Sequence, residues 1–179
     1  GKLFGLKIKV VLTNGTEPIG NGIGPVLEIK DVLKVLKREK DAPKDLEEKS
    51  LFLAGELLEL TEKAKKGKGI ELAKQILYSG KAFEKFNQII KAQEGKLDGL
   101  PKPKFSFSKK AEKRIKIRHF DNHLINKIAR FAGCPEDKAA GIYLNKKKGE
   151  IVEKGDKIMT VYAISEEKLR QANNLYNNL

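Results

Sequence analysis

The sequence predicts two parts in succession: an α/β part, one strand followed by helices, and then a small α+β domain. Three observations carry this. Leu6-Lys-Ile-Lys-Val-Val-Leu12 alternates and is rich in β-branched residues, the pattern of a strand. From 25 to 95, apolar residues recur at helical spacing. Beyond a stretch broken by Pro101 and Pro103, short glycine-punctuated runs accompany a single amphipathic helix.

The elements follow in order. After the strand, Thr13–Gly24 is rich in turn residues, and Pro25 suits the first position of a helix whose stripe is Val26, Ile29, Leu33 and Leu36. A second helix has a polar start at 44–49 and an apolar body from Leu51 to Ala64, and it ends at Lys65-Lys-Gly-Lys-Gly69. Ile70–Ser79 forms a short third helix with Gly80 as its stop, and Ala82, Phe83, Phe86, Ile89 and Ile90 mark a fourth, closed by Gly95. Residues 96–104 lack periodicity and read as a linker. Phe105–Ser108 and Arg114–Arg118 are strand-like, and Asp121 or Asn122 caps a helix that buries Leu124, Ile125, Ile128, Ala129 and Ala132. Gly133 and Pro135 end it. Strands are expected at Gly141–Asn145, Gly149–Val152 and Lys157–Ala163, and Ser165 caps a last helix through Leu169, Ala172 and Leu175, with fraying in the Asn-rich tail 173–178.

Composition narrows the partners. The chain has 179 residues and a net charge of +13, of which +4 lies up to Gly95 and +9 beyond it. Such a surface attracts anions such as nucleic acid, phosphorylated metabolites or acidic lipid. The lysines are scattered, however, and aromatic residues make up only 7%, without the interleaved Phe/Tyr signature of an RNA-binding sheet. A Lys/Glu-rich, Trp-free composition also fits a thermophilic source. A lone cysteine, Cys134, excludes an intrachain disulfide and fits a reducing, cytoplasmic compartment. The opening Gly-Lys-Leu-Phe-Gly, with a strand close behind, suggests the interior of a longer protein.

Few constellations suggest chemistry. Gly20-Asn-Gly-Ile-Gly24 ahead of a helix could hold an anion, but its spacing is not a dinucleotide or P-loop pattern, and Pro25 removes a donor. A tight connecting turn is the expected reading. His119 and His123 stand four apart on opposite sides of a helix start and need not share a face, so no metal site is expected. Cys134 follows a helix C-terminus, where the dipole disfavours a thiolate. Adjacent carboxylates such as Glu47-Glu48, Glu136-Asp137 and Glu166-Glu167 do not face each other on a helix. No catalytic, substrate-binding or metal-ligating residue is assigned, and no cofactor is expected.

Ala139-Ala-Gly-Ile-Tyr-Leu144, preceded by Pro135–Lys138 and followed by Gly149, Val152 and Gly155-Asp-Lys-Ile-Met-Thr-Val-Tyr-Ala163, resembles the carboxy-terminal domain of thymidine and pyrimidine-nucleoside phosphorylases, and most of all their archaeal AMP phosphorylase branch. Upstream, Leu12-Thr…Glu17-Pro-Ile-Gly20…Gly24-Pro-Val-Leu-Glu-Ile29 and Ser79-Gly-Lys-Ala-Phe-Glu-Lys-Phe86…Gly95 resemble the same family in the same order. The resemblance implies that 1–95 is the end of a central mixed-sheet α/β domain, 96–104 a linker, and 105–179 a small α+β domain shaped like a hammerhead or barrel-sandwich. The hammerhead is also the shape of lipoyl and biotinyl carriers, but Lys146-Lys-Lys148 lacks the flanks of a modified lysine.

The resemblance further implies a parent enzyme, a pentosyltransferase in which phosphate attacks the anomeric carbon of a nucleoside or nucleoside monophosphate. The products are the free base and a pentose 1-phosphate. In that family the phosphate loops lie upstream, and none of their motifs occurs here, so the chain itself is expected to be non-catalytic and to serve structure or assembly. Phosphate and a nucleoside or its monophosphate are the expected partners of the parent, which is expected to be a homo-oligomer with no membrane association. The alternatives are a basic nucleic-acid-binding module and a carrier-like interaction domain.

Overall fold

A computed structural model describes residues 2–177 and contains two units whose chain segments interleave. One takes the chain up to Asn14 and from Val32 to Leu97; the other takes Gly15–Asp31 and everything from Asp98. The chain therefore leaves the first unit at Asn14, returns at Val32 inside helix α1 (Pro25–Lys37), and leaves again after Leu97.

The first unit is helical. It contains the second half of α1, α2 (Lys44–Leu60), α3 (Gly69–Tyr78) and α4 (Lys81–Ala92), after a short 3-10 turn at Lys2–Phe4. Its core is Val35, Leu51, Ala73 and Leu77, with Leu36, Leu46, Leu58 and Ala82 packed around it. Helices α2 and α3 meet at two glycines. An added Cβ on Gly55 would lie 2.6 Å from the Ile70 nitrogen, and one on Gly69 would lie 2.1 Å from the Gly55 carbonyl oxygen. Glu59 closes the same junction, accepting hydrogen bonds from the Gly67 and Gly69 N–H groups at 2.9 and 3.0 Å. Those two bonds lower its pKa. At the end of α1, the Arg38 guanidinium donates to the Tyr78 carbonyl at 3.1 Å and stacks 4.5 Å over its ring, while the Tyr78 hydroxyl donates to Glu47.

The strand expected at Leu6–Leu12 does not form. Among the described residues this segment joins no sheet, and Leu6, Ile8, Val10 and Leu12 are 62–96% exposed. Lys7 and Lys9 instead pair with Glu62 and Glu56 of the α2 region. An alternating apolar pattern supplies strand propensity, but a strand exists only with a ladder partner, and pairing is a tertiary event.

The second unit is built on a four-stranded antiparallel sheet in the order β1 (Gly22–Ile23), β4 (Gly141–Leu144), β6 (Lys157–Ala163), β2 (Phe105–Lys110). Ile142 pairs with both Ile23 and Val161, so β4 lies inside the sheet. A separate pair, β3 (Ile115–Lys116) with β5 (Ile151–Val152), covers a small cluster of Ala111, Ile117 and Val152. Helices α5 (Asn122–Phe131) and α6 (Glu166–Asn177) complete the main core, in which Ile128, Ala132, Ile142, Ala163 and Ala172 are fully buried. The alternation of β6 follows from this: Met159, Val161 and Ala163 face the core. The antiparallel sheets and helices make this a small α/β unit.

Local signals set the helix ends of this unit. The Asp121 carboxylate accepts from the N–H groups of His123 and Leu124 at 2.8 and 3.2 Å, and these two bonds hold its pKa below the usual range. Ser165 caps α6 by accepting from Lys168 N–H at 3.2 Å. Asp121→Ala is expected to lower Tm by a few degrees in a thermal melt, with Asp121→Asn recovering most of the loss. Of the tail expected to fray, 173–177 continue α6, and Asn178 lies outside the described residues. No described helix is long and apolar enough to cross a membrane.

Candidate functional site

The glycine-rich turn is part of the sheet rather than an anion cradle. Gly22 and Ile23 form β1 on β4, and the backbone donors around them are committed. The Asp31 carboxylate, 1% exposed, accepts from Asn21 and Gly22 N–H at 2.6 and 2.7 Å. Gly24 N–H donates to the Glu28 carboxylate at 2.9 Å, and Val26 N–H to the Lys138 carbonyl at 3.1 Å. An incoming phosphate would find these groups occupied and would face two carboxylates.

The most organised polar cluster of the second unit lies just upstream, on Glu17. Its side chain is 20% exposed. Glu17 Oε1 lies 2.6 Å from His119 Nδ1, and because a carboxylate only accepts, the ring nitrogen is the donor. Lys148 Nζ approaches the same oxygen at 3.2 Å, and Phe120 N–H donates to Oε2 at 3.0 Å. Asn122 Nδ2 donates to the Gly15 carbonyl at 3.1 Å, and the Lys147 ammonium reaches the carbonyls of Pro18 and Gly20. Partial burial works to raise the Glu17 pKa, but hydrogen bonds from His119, Phe120 and Lys148 outweigh it and bring it down to about 2.

A carboxyl with so low a pKa carries no proton near neutrality and is a poor general acid. It is suited to holding its segment in place. The sign of its pH effect follows. The unfolded group titrates near 4.5, so the stabilisation is complete above that value and is lost as pH falls toward about 2. Denaturation midpoints measured between pH 5 and pH 2 are expected to fall less steeply for Glu17→Gln than for the native chain.

Of the residues weighed from the sequence, His119 and Lys148 meet at Glu17. His119 lies in the β3–α5 connection against Glu17, whereas His123 is an exposed residue in the first turn of α5. Among the described residues no group of three His, Cys, Asp or Glu side chains is placed to hold a metal. Cys134 is half-buried beside the main core, and burial pushes its thiol pKa up, so the group is a poor nucleophile. Lys147 and Lys148 are engaged with the Pro18–Gly20 carbonyls and Glu17, which does not fit an outward-presented carrier lysine. Sequence reasoning gave Asp31 and Glu17 no role. Asp31 left a signal, a charge spaced four residues from both Leu27 and Val35 on the buried side of α1. Glu17 left none, because its partners lie about a hundred or more residues away.

Residues 116–179, which run from the last residue of β3 through α5, β4, β5, β6 and α6, match the family model of the pyrimidine nucleoside phosphorylase C-terminal domain. The particular relatives are phosphorylases of two kinds. A protein assigned as a thymidine phosphorylase in Legionella pneumophila (strain Corby) is 45% identical over 172 residues, 96% of this chain and 33% of that protein. AMP phosphorylase of Methanococcus aeolicus is 45% identical over 177 residues, 97% of this chain and 35% of its own length. AMP phosphorylase of Methanosarcina mazei is 44% identical over 176 residues, 34% of its length. The chain thus spans about a third of the length of the curated relatives it matches, in a carboxy-terminal part of them. The alternative of a nucleic-acid-binding module finds no support in these similarities.

Proposed function

We propose that this chain is the carboxy-terminal part of a nucleoside or nucleotide phosphorylase. Its parent would convert AMP or a nucleoside such as thymidine, with phosphate, into the free base and a pentose 1-phosphate. The observation that carries the reading is 45% identity sustained over almost the whole chain to phosphorylases of which it covers a third. On this reading residues 1–95 end the central α/β domain, 96–104 link, and 105–179 form the terminal domain, a hammerhead of strands around a helix. The parent would act in the cytoplasm as a homo-oligomer.

The chain itself contributes structure rather than chemistry. The reaction needs cationic and backbone donors around phosphate and an acid for the departing base. Here the N–H donors of Asn21, Gly22, Gly24 and Val26 are taken by Asp31, Glu28 and Lys138, and Glu17 is held ionised. Incubating the isolated chain with phosphate and either AMP or thymidine, and following free base by chromatography, is expected to give no release. Turnover above a no-protein blank would overturn the assignment of the chemistry to other parts of the parent.

A further inference from the structure

We infer that Gly15–Gly20 is a strap, pinned by Glu17 to the β3–α5 corner, that opens and closes while the sheet of the same unit stays folded. This goes beyond the phosphorylase reading and does not depend on it. The contrast along the chain carries it. From Asn21 onward the segment is locked by backbone pairing: the Asn21 carbonyl accepts from Leu144 N–H at 2.7 Å, Gly22 and Ile23 pair with β4, and the buried Asp31 carboxylate fixes the N–H groups of Asn21 and Gly22. Before Asn21 the anchors are of another kind. Side chains of Asn122, His119, Lys148 and Lys147 reach across to Gly15, Glu17, Pro18 and Gly20, and Ile19 is 38% exposed, giving no deep apolar hold.

Gly20 is buried and Glu17 and Pro18 are half-buried, but Gly15, Thr16 and Ile19 are exposed, and a segment held mainly by charge and side-chain hydrogen bonds belongs to the low-stability end of a fold and opens locally. Its ends are suited to that. Gly15 has open space where a Cβ would stand, and Gly20 has a positive φ of 72°, while Pro18 stiffens the middle. Glu17 is the pin because one carboxylate gathers three donors from two places, His119 and Phe120 at the corner and Lys148 ahead of β5. Losing it releases all three together.

Amide hydrogen exchange on the full chain tests this. The Phe120 N–H reports the closed strap because Glu17 accepts it, and the amides of Ile142 and Val161 report the sheet. Glu17→Ala is expected to speed exchange at Phe120 by about tenfold or more and leave the sheet amides unchanged. Raising salt from about 0.05 to about 0.5 M is expected to speed Phe120 exchange in the native chain but not in Glu17→Ala, since screening weakens the ion pairs. Unchanged Phe120 exchange in the variant, or sheet amides accelerating in step with it, would overturn the strap. Should the variant fail to fold, the native chain alone decides: Phe120 exchange insensitive to salt contradicts the inference.

Discussion

Gly141→Ala is expected to lower stability by roughly 3 kcal/mol or more, read as a drop of about 10 °C in Tm. Two independent effects meet at this position. The backbone holds φ at +151°, a conformation that residues with a Cβ rarely adopt. A Cβ there would also lie 2.1 Å from the Ile23 carbonyl oxygen and 3.2 Å from Leu27. The obstacle is backbone, so it cannot be relieved by a rotamer change, and the β1–β4 pairing must part. The loss should therefore concentrate where β1 meets β4, with exchange at Ile23 and Ile142 rising before that of Phe107 and Val161 on the far side of the sheet. A melt within a degree or two of the native chain would mean that this contact is not tight.

Gly55→Ala is the second large effect, and its sign opposes helix propensity. Alanine in the interior of α2 should stabilise an isolated helix by up to about 1 kcal/mol. Here the added Cβ would meet the Ile70 nitrogen at 2.6 Å and Ile70 Cγ1 at 2.8 Å, so α2 and α3 must separate. A net loss of about 2 kcal/mol is expected from the strain and from reduced burial of Leu51, Ala73 and Leu77. Amides of α2 and α3 should exchange faster while those of β4 and β6 keep their native rates. A stabilised Gly55→Ala variant would show that the helices do not approach this closely.

These two glycines mark the limit of what the sequence makes legible. Gly55 sits in an apolar helical run like any tolerated small residue, and only its partner Gly69 across the α2–α3 contact explains it. Gly141 reads as the entrance to a strand, which it is, but the demand on its backbone comes from Ile23, more than a hundred residues earlier. Local signals transfer well. Pro25 opens α1, Asp121 caps α5, Ser165 caps α6, and the alternation of Lys157–Ala163 gives β6 with its buried face. Non-local pairing does not transfer. Leu6–Leu12 has the pattern of a strand without a ladder, while Gly22–Ile23 has the pattern of a turn and forms one. For the same reason no reading along the chain groups Gly15–Asp31 with residues beyond Asp98.

The candidate site follows the same division. The residue types that usually announce chemistry, the histidines, the cysteine and the glycine run, are visible in the sequence. Glu17, the group with the strongest electrostatic signature, lay in a turn and acquired it from His119, Phe120 and Lys148. That pattern supports the proposed function, in which the chain holds shape while other parts of the parent react.

A chimera puts the phosphorylase account to its most direct test. This chain replaces the matching carboxy-terminal third of Methanococcus aeolicus AMP phosphorylase, and phosphate-dependent release of adenine from AMP is measured. The account predicts phosphate-dependent turnover by the chimera and none by this chain alone. A soluble, folded chimera that releases no adenine, or release by this chain without the upstream two thirds, would contradict it.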